Sequence, residues 1–313
     1  MKRRTAEKGR VELGSKRTTE QGLEQSKELD TYEVNAIIKL MNQEDKTVAY
    51  SVEKVLPDIE MVIYKVIDKM RSGGRLYYIG AGSSGRMGIL DASECPPTFG
   101  VDANLVTGII AGGDWAIRRA IEDAEDNKVA GKEDILQTIT NKDVLIGITA
   151  SGITPYVIGA IEAANEIGAV TAGISCNHHT PLSKAAQYPV EVQTGPEILT
   201  GSTRLKAGTA QKFVLNMITT TTMIKLGKVY GNQMVNMQAT NEKLRIRASE
   251  IVQNITKVNE DKAEKALNEA KGDTQIAILM IMYEISSAEA SAALNSANGH
   301  FRQAVDIVAK NKY

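Results

Sequence analysis

Between residues 75 and 226 the chain alternates short apolar runs with stretches whose apolar positions fall three and four apart. The runs Arg75–Ile79, Leu105–Ala111, Val144–Thr149 and Val170–Ser175 predict strands. The intervening patterns predict helices from about Ser84, over Asp114–Glu125, near Asp134–Thr138, up to Ile167, and over Thr203–Leu226. Unbroken apolar strands alternating with amphipathic helices predict an α/β fold, a doubly wound parallel sheet covered on both faces. Ahead of it, Val34, Ile37, Ile38 and Met41 recur at helical spacing behind the candidate caps Asp30 and Thr31. A second helix is expected over Val48–Met70, with Pro57 either in its first turn or kinking it, and Ser72-Gly73-Gly74 closing it. From Asn241 the pattern is helical almost throughout. Breaks at Lys271-Gly272-Asp273, Ser286-Ser287 and Asn298-Gly299 predict three short helices with an apolar seam, a small bundle suited to packing or oligomerisation. The expected organisation is an N-terminal tail over 1–30, the main domain with its N-terminal helices over 31–250, and a C-terminal (UBA-like) helical bundle over 251–313.

Composition narrows the partners. Of 313 residues 42% are hydrophobic and 24% charged, ordinary for a globular chain. A net charge of -1 leaves no electrostatic footprint for nucleic acid or an anionic membrane, and the 4% aromatic share supplies no stacking platform. The basic N-terminus MKRRTAEKGRVELGSKRTTEQ lacks an apolar core segment, so a mobile tail is expected rather than a secretory signal. No apolar run approaches the ~20 residues of a membrane helix. Two cysteines, Cys95 and Cys176, make no disulfide framework, which fits a cytoplasmic location. Three histidines, including the adjacent His178 and His179, offer no zinc spacing. The expected partners are small molecules and other copies of the chain, with no metal and no cofactor.

The residues IGAGSSGRMG, 79–88, raise the first chemical question. Gly80, Gly82 and Gly85 satisfy the dinucleotide fingerprint G-x-G-x-x-G. Yet the acidic residue at about the required distance, Asp102, lies in the loop PPTFGVDAN rather than at a strand end. Ser83 and Ser84 point elsewhere: hydroxyls and helix N-terminal amides satisfy the three oxygens of a phosphate monoester. A second turn of the same kind, Ala150-Ser151-Gly152-Ile153-Thr154-Pro155, follows the strand at Val144. Two such turns can face one crevice. Alternatively, the hydroxyls simply cap two helices.

Two carboxylates are candidates for proton transfer. Glu94 precedes Cys95-Pro96-Pro97 on what reads as a stiff loop, and is an acid–base group or a surface glutamate. Glu125 borders the stripe Ile117, Ala120, Ile121 and Ala124 near a predicted helix C-terminus, whose negative dipole end favours a protonated carboxyl. The segment TGPEILTGSTRLKAGT, 194–209, precedes the long helix and offers Ser202 and Thr203 as caps, with Lys206 beside them. Arg86 is the other nearby cation.

The pair of hydroxyl-rich turns resembles the sugar isomerase (SIS) fold. YIGAGSSGRMGILDASECPPTFG resembles the signature of the N-acetylmuramic acid 6-phosphate etherases, as do IAGGDWAIRRAIEDAEDN, ITASGITPYVIGA, ISCN, TGPEILTGSTRLKAGTAQKFVLNMI and LGKVYGNQMVNMQATNEKLRIRA. The likeness covers about residues 30 to 250 closely. Ser83 stands where the family usually has Thr, Met87 where it has Leu, the Arg-Asn expected after Thr19-Glu20 is missing, and ISCNHHTPL replaces a stretch richer in glycine and serine. The resemblance implies a cytoplasmic, homodimeric lyase without cofactor, serving the recovery of cell-wall sugars. It implies lactate elimination from a muramic acid phosphosugar followed by hydration. Glu94 would donate a proton to lactate, Glu125 would be the second acid–base group, and Ser83, Ser84, Ser151, Gly152, Thr154, Ser202, Thr203 and Lys206 would bind substrate. An aldose–ketose isomerase and a non-catalytic phosphosugar-sensing regulator are the alternatives on the same fold.

Overall fold

The apolar runs assemble as one parallel sheet in the computed structural model, which describes residues 17–237 and 242–312. Strands β1 (Leu76–Gly80), β2 (Val106–Ile110), β3 (Val144–Ile148), β4 (Val170–Ser175) and β5 (Tyr188–Glu191) lie in the order β2-β1-β3-β4-β5. Every neighbouring pair is parallel. β1 and β3 are buried along their whole length, and so read as continuous apolar runs. β5 has no such run. It is a half-exposed edge strand, Tyr-Pro-Val-Glu, and Pro189 is tolerated because an edge strand needs only one side of its ladder.

Helices α1 (Val34–Glu53) and α2 (Leu56–Arg71) precede the sheet. Pro57 stands in the first turn of α2, and the break falls at Lys54-Val55 rather than before Val48. The expected caps do not form: Asp30 and Thr31 lie in a 3-10 turn, Leu29–Thr31, and α1 begins after Glu33. The remaining helices up to residue 225 are α3 (Gly82–Phe99), α4 (Trp115–Arg118), α5 (Lys128–Leu136), α6 (Pro155–Glu166), α7 (Pro181–Ala185) and α8 (Lys206–Lys225). On one face of the sheet Tyr77, Ile79 and Leu145 pack with Tyr156, Val157, Ala160 and Ile161 of α6 and with Ile135 of α5.

The described residues fall into two compact units, 17–92 with 106–219, and 93–105 with 220–312. The first holds the sheet. Residues 1–16, most of the expected tail, lie outside the described residues. At Thr18 and Thr19 the chain is docked rather than free, for Thr19 is wholly buried and both bond Asn177. The second unit includes five helices, α9 (Glu242–Thr256), α10 (Glu260–Glu269), α11 (Thr274–Tyr283), α12 (Ser287–Ser296) and α13 (Phe301–Lys312). The last three follow the three breaks read in the sequence, and α9 and α10 precede them. Side chains cap three of these helices: Asn259 accepts from Lys262 N, Asp273 from Ile276 N, and Ser286 forms a capping box with Glu289. Their core is built largely of small residues around Ile278, Leu279 and Phe301. No single helix among the described residues is long and apolar enough to cross a membrane.

Candidate active site

The strand order fixes where a ligand can sit. From β1 the chain crosses to β2 on one side, while β3 lies on the other, so the carboxyl ends of β1 and β3 form the topological switch point, the place where ligands bind in such sheets. Gly80 lies opposite Ile148 in the ladder, so the two turns leave the sheet side by side. These are the two hydroxyl-rich turns.

In the first turn the glycines serve packing. A Cβ on Gly80 would lie 2.6 Å from Gly85 N, and one on Gly85 would lie 2.6 Å from Ile110 Cγ1 and 2.8 Å from Gly80 O. The start of α3 is thereby pressed against the strand ends, with Ser84 buried and Ser83 partly exposed. In the second turn Gly152 has φ +74°, and a Cβ there would lie 2.3 Å from Thr180 Cγ2. Only glycine fits. Thr154 occupies the N-cap position of α6 without capping it through its side chain. Its hydroxyl lies 2.7 Å from Thr149 Oγ1, which is in turn 3.2 Å from Ser151 Oγ. Ile153 N donates to Ser151 Oγ at 3.3 Å. The hydroxyls of the second turn thus form a linked group rather than a plain cap.

The two glutamates are positioned differently from expectation. Glu94 is an exposed residue within α3, not on a loop, because α3 continues through Pro96 and Pro97 to Phe99. Glu125 is exposed too, but no helix spans 114–125. α4 ends at Arg118, Asp123 turns left-handed at φ +59°, and Glu125 sits in a 3-10 turn, Ala124–Asp126. The dipole argument for Glu125 falls with the helix. Arg86 supplies the physical reason. Its guanidinium donates to the carbonyls of Ala116, Ile117 and Arg119, which a longer helix would direct to following amides. That cation holds backbone.

Lys206 is likewise occupied. It is 3% exposed, and its Nζ lies 2.6 Å from Glu44 Oε2 on α1. The first turn of α8 is closed by Glu197, which accepts from Lys206 N at 3.0 Å and Ala207 N at 2.9 Å. Burial pushes the Glu197 carboxyl up while those amides pull it down, and the net shift is upward. Ser202 and Thr203 lie half-buried in the loop before α8. His178 Nδ1 lies 2.9 Å from Glu191 Oε2, so one of the paired histidines has a local partner.

Three buried polar residues escaped the sequence reading. Asp91 accepts from Tyr78 Oη at 3.0 Å, Asn216 Nδ2 at 2.6 Å and Thr219 Oγ1 at 3.2 Å, tying β1, α3 and α8 together. Glu197 is the second. Asn177, 3% exposed, is the third, and it contacts Thr18, Thr19 and Ala150. A carboxylate or amide inside an apolar run, as in PEIL and ISCN, is the only trace such residues leave.

Comparison with known proteins places this architecture. The model described as "SIS domain" matches residues 124–221, "Glucokinase regulatory protein N-terminal SIS domain" matches 58–165, and "C-terminal lid domain of glucokinase regulatory protein" matches 231–277. An N-acetylmuramic acid 6-phosphate etherase of Geobacillus sp. is 53% identical over 290 residues, covering 92% of this chain and 98% of its own. One from Caldanaerobacter subterraneus is 50% identical over 281 residues, covering 90% and 92%. A third, from Actinobacillus pleuropneumoniae, is 47% identical over 302 residues, covering 96% and 99%. With close to half of all positions shared along nearly its whole length, this chain belongs to the N-acetylmuramic acid 6-phosphate etherase family.

Proposed function

We propose that the crevice between β1 and β3 holds the phosphate of N-acetylmuramic acid 6-phosphate, and that Glu94 and Glu125 move protons at C2 and C3 of the opened sugar. The observation that carries this reading is the pair of hydroxyl turns at the switch point, Ser83–Ser84 and Ser151–Thr154, leaving adjacent strands side by side. Hydroxyls and backbone amides grouped there suit the three oxygens of a phosphate monoester. Gly152 lets the second turn approach closely, and Thr154, linked to Thr149, orients it. Ser202 and Thr203 form a further wall against the sugar. Lys206, paired with Glu44, keeps that wall in place rather than meeting the lactate carboxylate.

The chemistry follows from the substrate. An ether is a poor leaving group, so direct displacement of lactate is slow. Ring opening exposes the C1 aldehyde, which acidifies the proton on C2. One carboxylate removes that proton, and a carboxylic acid, read as Glu94, protonates the departing lactate oxygen as the C3–O bond breaks. Water then adds across the C2–C3 double bond, giving N-acetylglucosamine 6-phosphate and D-lactate. Each proton transfer by a positioned side chain is worth about 10²–10⁴-fold. The active form is a homodimer, with the exposed apolar residues of α1 and α2 as its interface.

The test is incubation of the pure protein with N-acetylmuramic acid 6-phosphate in ¹⁸O water. D-lactate appears unlabelled and the product sugar carries the label at C3. Label in lactate would end the elimination–hydration scheme, and a ketose phosphate without lactate would favour an isomerase.

A further inference from the structure

The segment Arg17–Gln21 lies against the end of the sheet, where the Asn177 side chain bonds Thr18 and Thr19. Asn177 follows β4 at the carboxyl end of the sheet, on the level of the Ser151 turn. Its Oδ1 accepts from Thr18 Oγ1 at 3.2 Å and Thr19 N at 3.4 Å. Its Nδ2 donates to Thr19 Oγ1 at 3.0 Å and to Ala150 O at 3.1 Å. Ala150 directly precedes Ser151, and its carbonyl also accepts from Cys176 N at 2.9 Å. One amide therefore joins the N-terminal strap to the backbone behind the second hydroxyl turn. Thr19 and Asn177 are both almost fully buried, so the bonds are shielded from water.

The strap also reaches the other wall. A Cβ on Gly22 would lie 3.6 Å from Thr200 Oγ1, and one on Gly201 would lie 3.8 Å from Glu20 Oε2. Residues 18–22 thus span from the Ser151 turn to the loop that carries Ser202 and Thr203. Distance between those two groups of hydroxyls decides whether one sugar phosphate can touch both.

We propose that Asn177 is a positioning residue for the phosphosugar site, locking the Arg17–Gln21 strap to the Ser151 turn so that the strap holds the Thr200–Thr203 loop in register with it. This rests on the reading that the Ser151 turn binds the substrate. Asn177 touches no reacting atom and acts through its two neighbours. Its effect belongs to substrate affinity rather than to the chemical step.

Two substitutions weaken the link, and the bonds from Thr18 Oγ1 and Thr19 N to the Asn177 side-chain oxygen keep an acceptor in both. Asn177→Asp removes both Nδ2 donations, including the one to Ala150 O, and keeps an acceptor for the strap. Thr19→Val removes the strap hydroxyl and leaves the Asn177–Ala150 bond in place. Each is expected to raise KM in the lactate-release assay about fivefold to tenfold, with kcat within about twofold, the size of one or two buried hydrogen bonds. The double variant is no worse than Asn177→Asp alone, because that substitution already removes the bond from Nδ2 to Thr19 Oγ1 that Thr19→Val removes. Thr19→Ser, which keeps the hydroxyl, restores the wild-type KM. An unchanged KM in Thr19→Val, or effects that multiply in the double variant, overturns the proposal. Thr19→Val also decides the matter if Asn177→Asp does not fold. Ser151→Ala is the control: if it leaves KM unmoved, the substrate reading of the turn fails and the proposal with it. If Ser151→Ala raises KM while Thr19→Val and Asn177→Asp do not, the proposal alone fails.

Discussion

Glu94 and Glu125 are both exposed in the single chain, yet the proposed elimination would ask one to start with a proton and the other without. Glu94→Gln is isosteric and cannot give a proton to lactate. We expect KM within about threefold of wild type and lactate release lower by about 10³-fold, inside the range of general acid contributions. Wild-type turnover in that variant would remove Glu94 from its role. Cys176 offers a test of a different kind. It is fully buried, and burial, with the negative Glu197 nearby, pushes its thiol from 9.0 up to about 12. Folding therefore favours the protonated thiol. Its contribution is complete below about pH 9 and drains away at about 1.4 kcal/mol per pH unit from there to about pH 12, as the unfolded chain loses a proton that the folded one keeps. Urea unfolding of wild type and Cys176→Ala across this window should show the stability gap between them narrowing as pH rises. A constant gap would mean that the thiol titrates as freely in the folded chain as in the unfolded.

Elements were legible where the sheet buries them on both sides and illegible where a single side chain decides their length. β1, β3 and β4 announced themselves as apolar runs, and β3 and β4 fall within a residue of the expected bounds. β5 could not, since an edge strand containing proline carries neither the run nor the alternation. The helix expected over 114–125 had a sound apolar stripe, but periodicity contains no trace of Arg86 taking the carbonyls of Ala116, Ile117 and Arg119 from outside. For the same reason the site was half legible: Ser83, Ser84, Ser151 and Thr154 sit in local turns that sequence spells out, whereas Asn177 and Asp91 matter through contacts with residues far along the chain. Arg86→Ala tests the element directly. Freed carbonyls should loosen residues 115–121, seen as faster amide exchange there, and lactate release should fall about tenfold as the segment leading into the Glu125 turn loosens. Unaltered exchange would mean that the turn is held by other contacts.

At the scale of the whole molecule, α1 and α2 leave Val34, Ile38, Tyr50, Leu56, Met61 and Tyr64 exposed, an unusual load of large apolar side chains for two helices. We expect sedimentation to give twice the chain mass, and Ile38→Asp with Tyr64→Asp to give a monomer. A monomeric wild type would assign those residues elsewhere. The means of association is constrained by the border strand β5. With Pro189 in its middle, an incoming backbone would find no amide at that step, so stacking copies edge to edge is interrupted at the outset. Endless growth of one sheet into a fibre is closed off on that flank, so any copy meeting this edge must recognise side chains rather than extend the ladder.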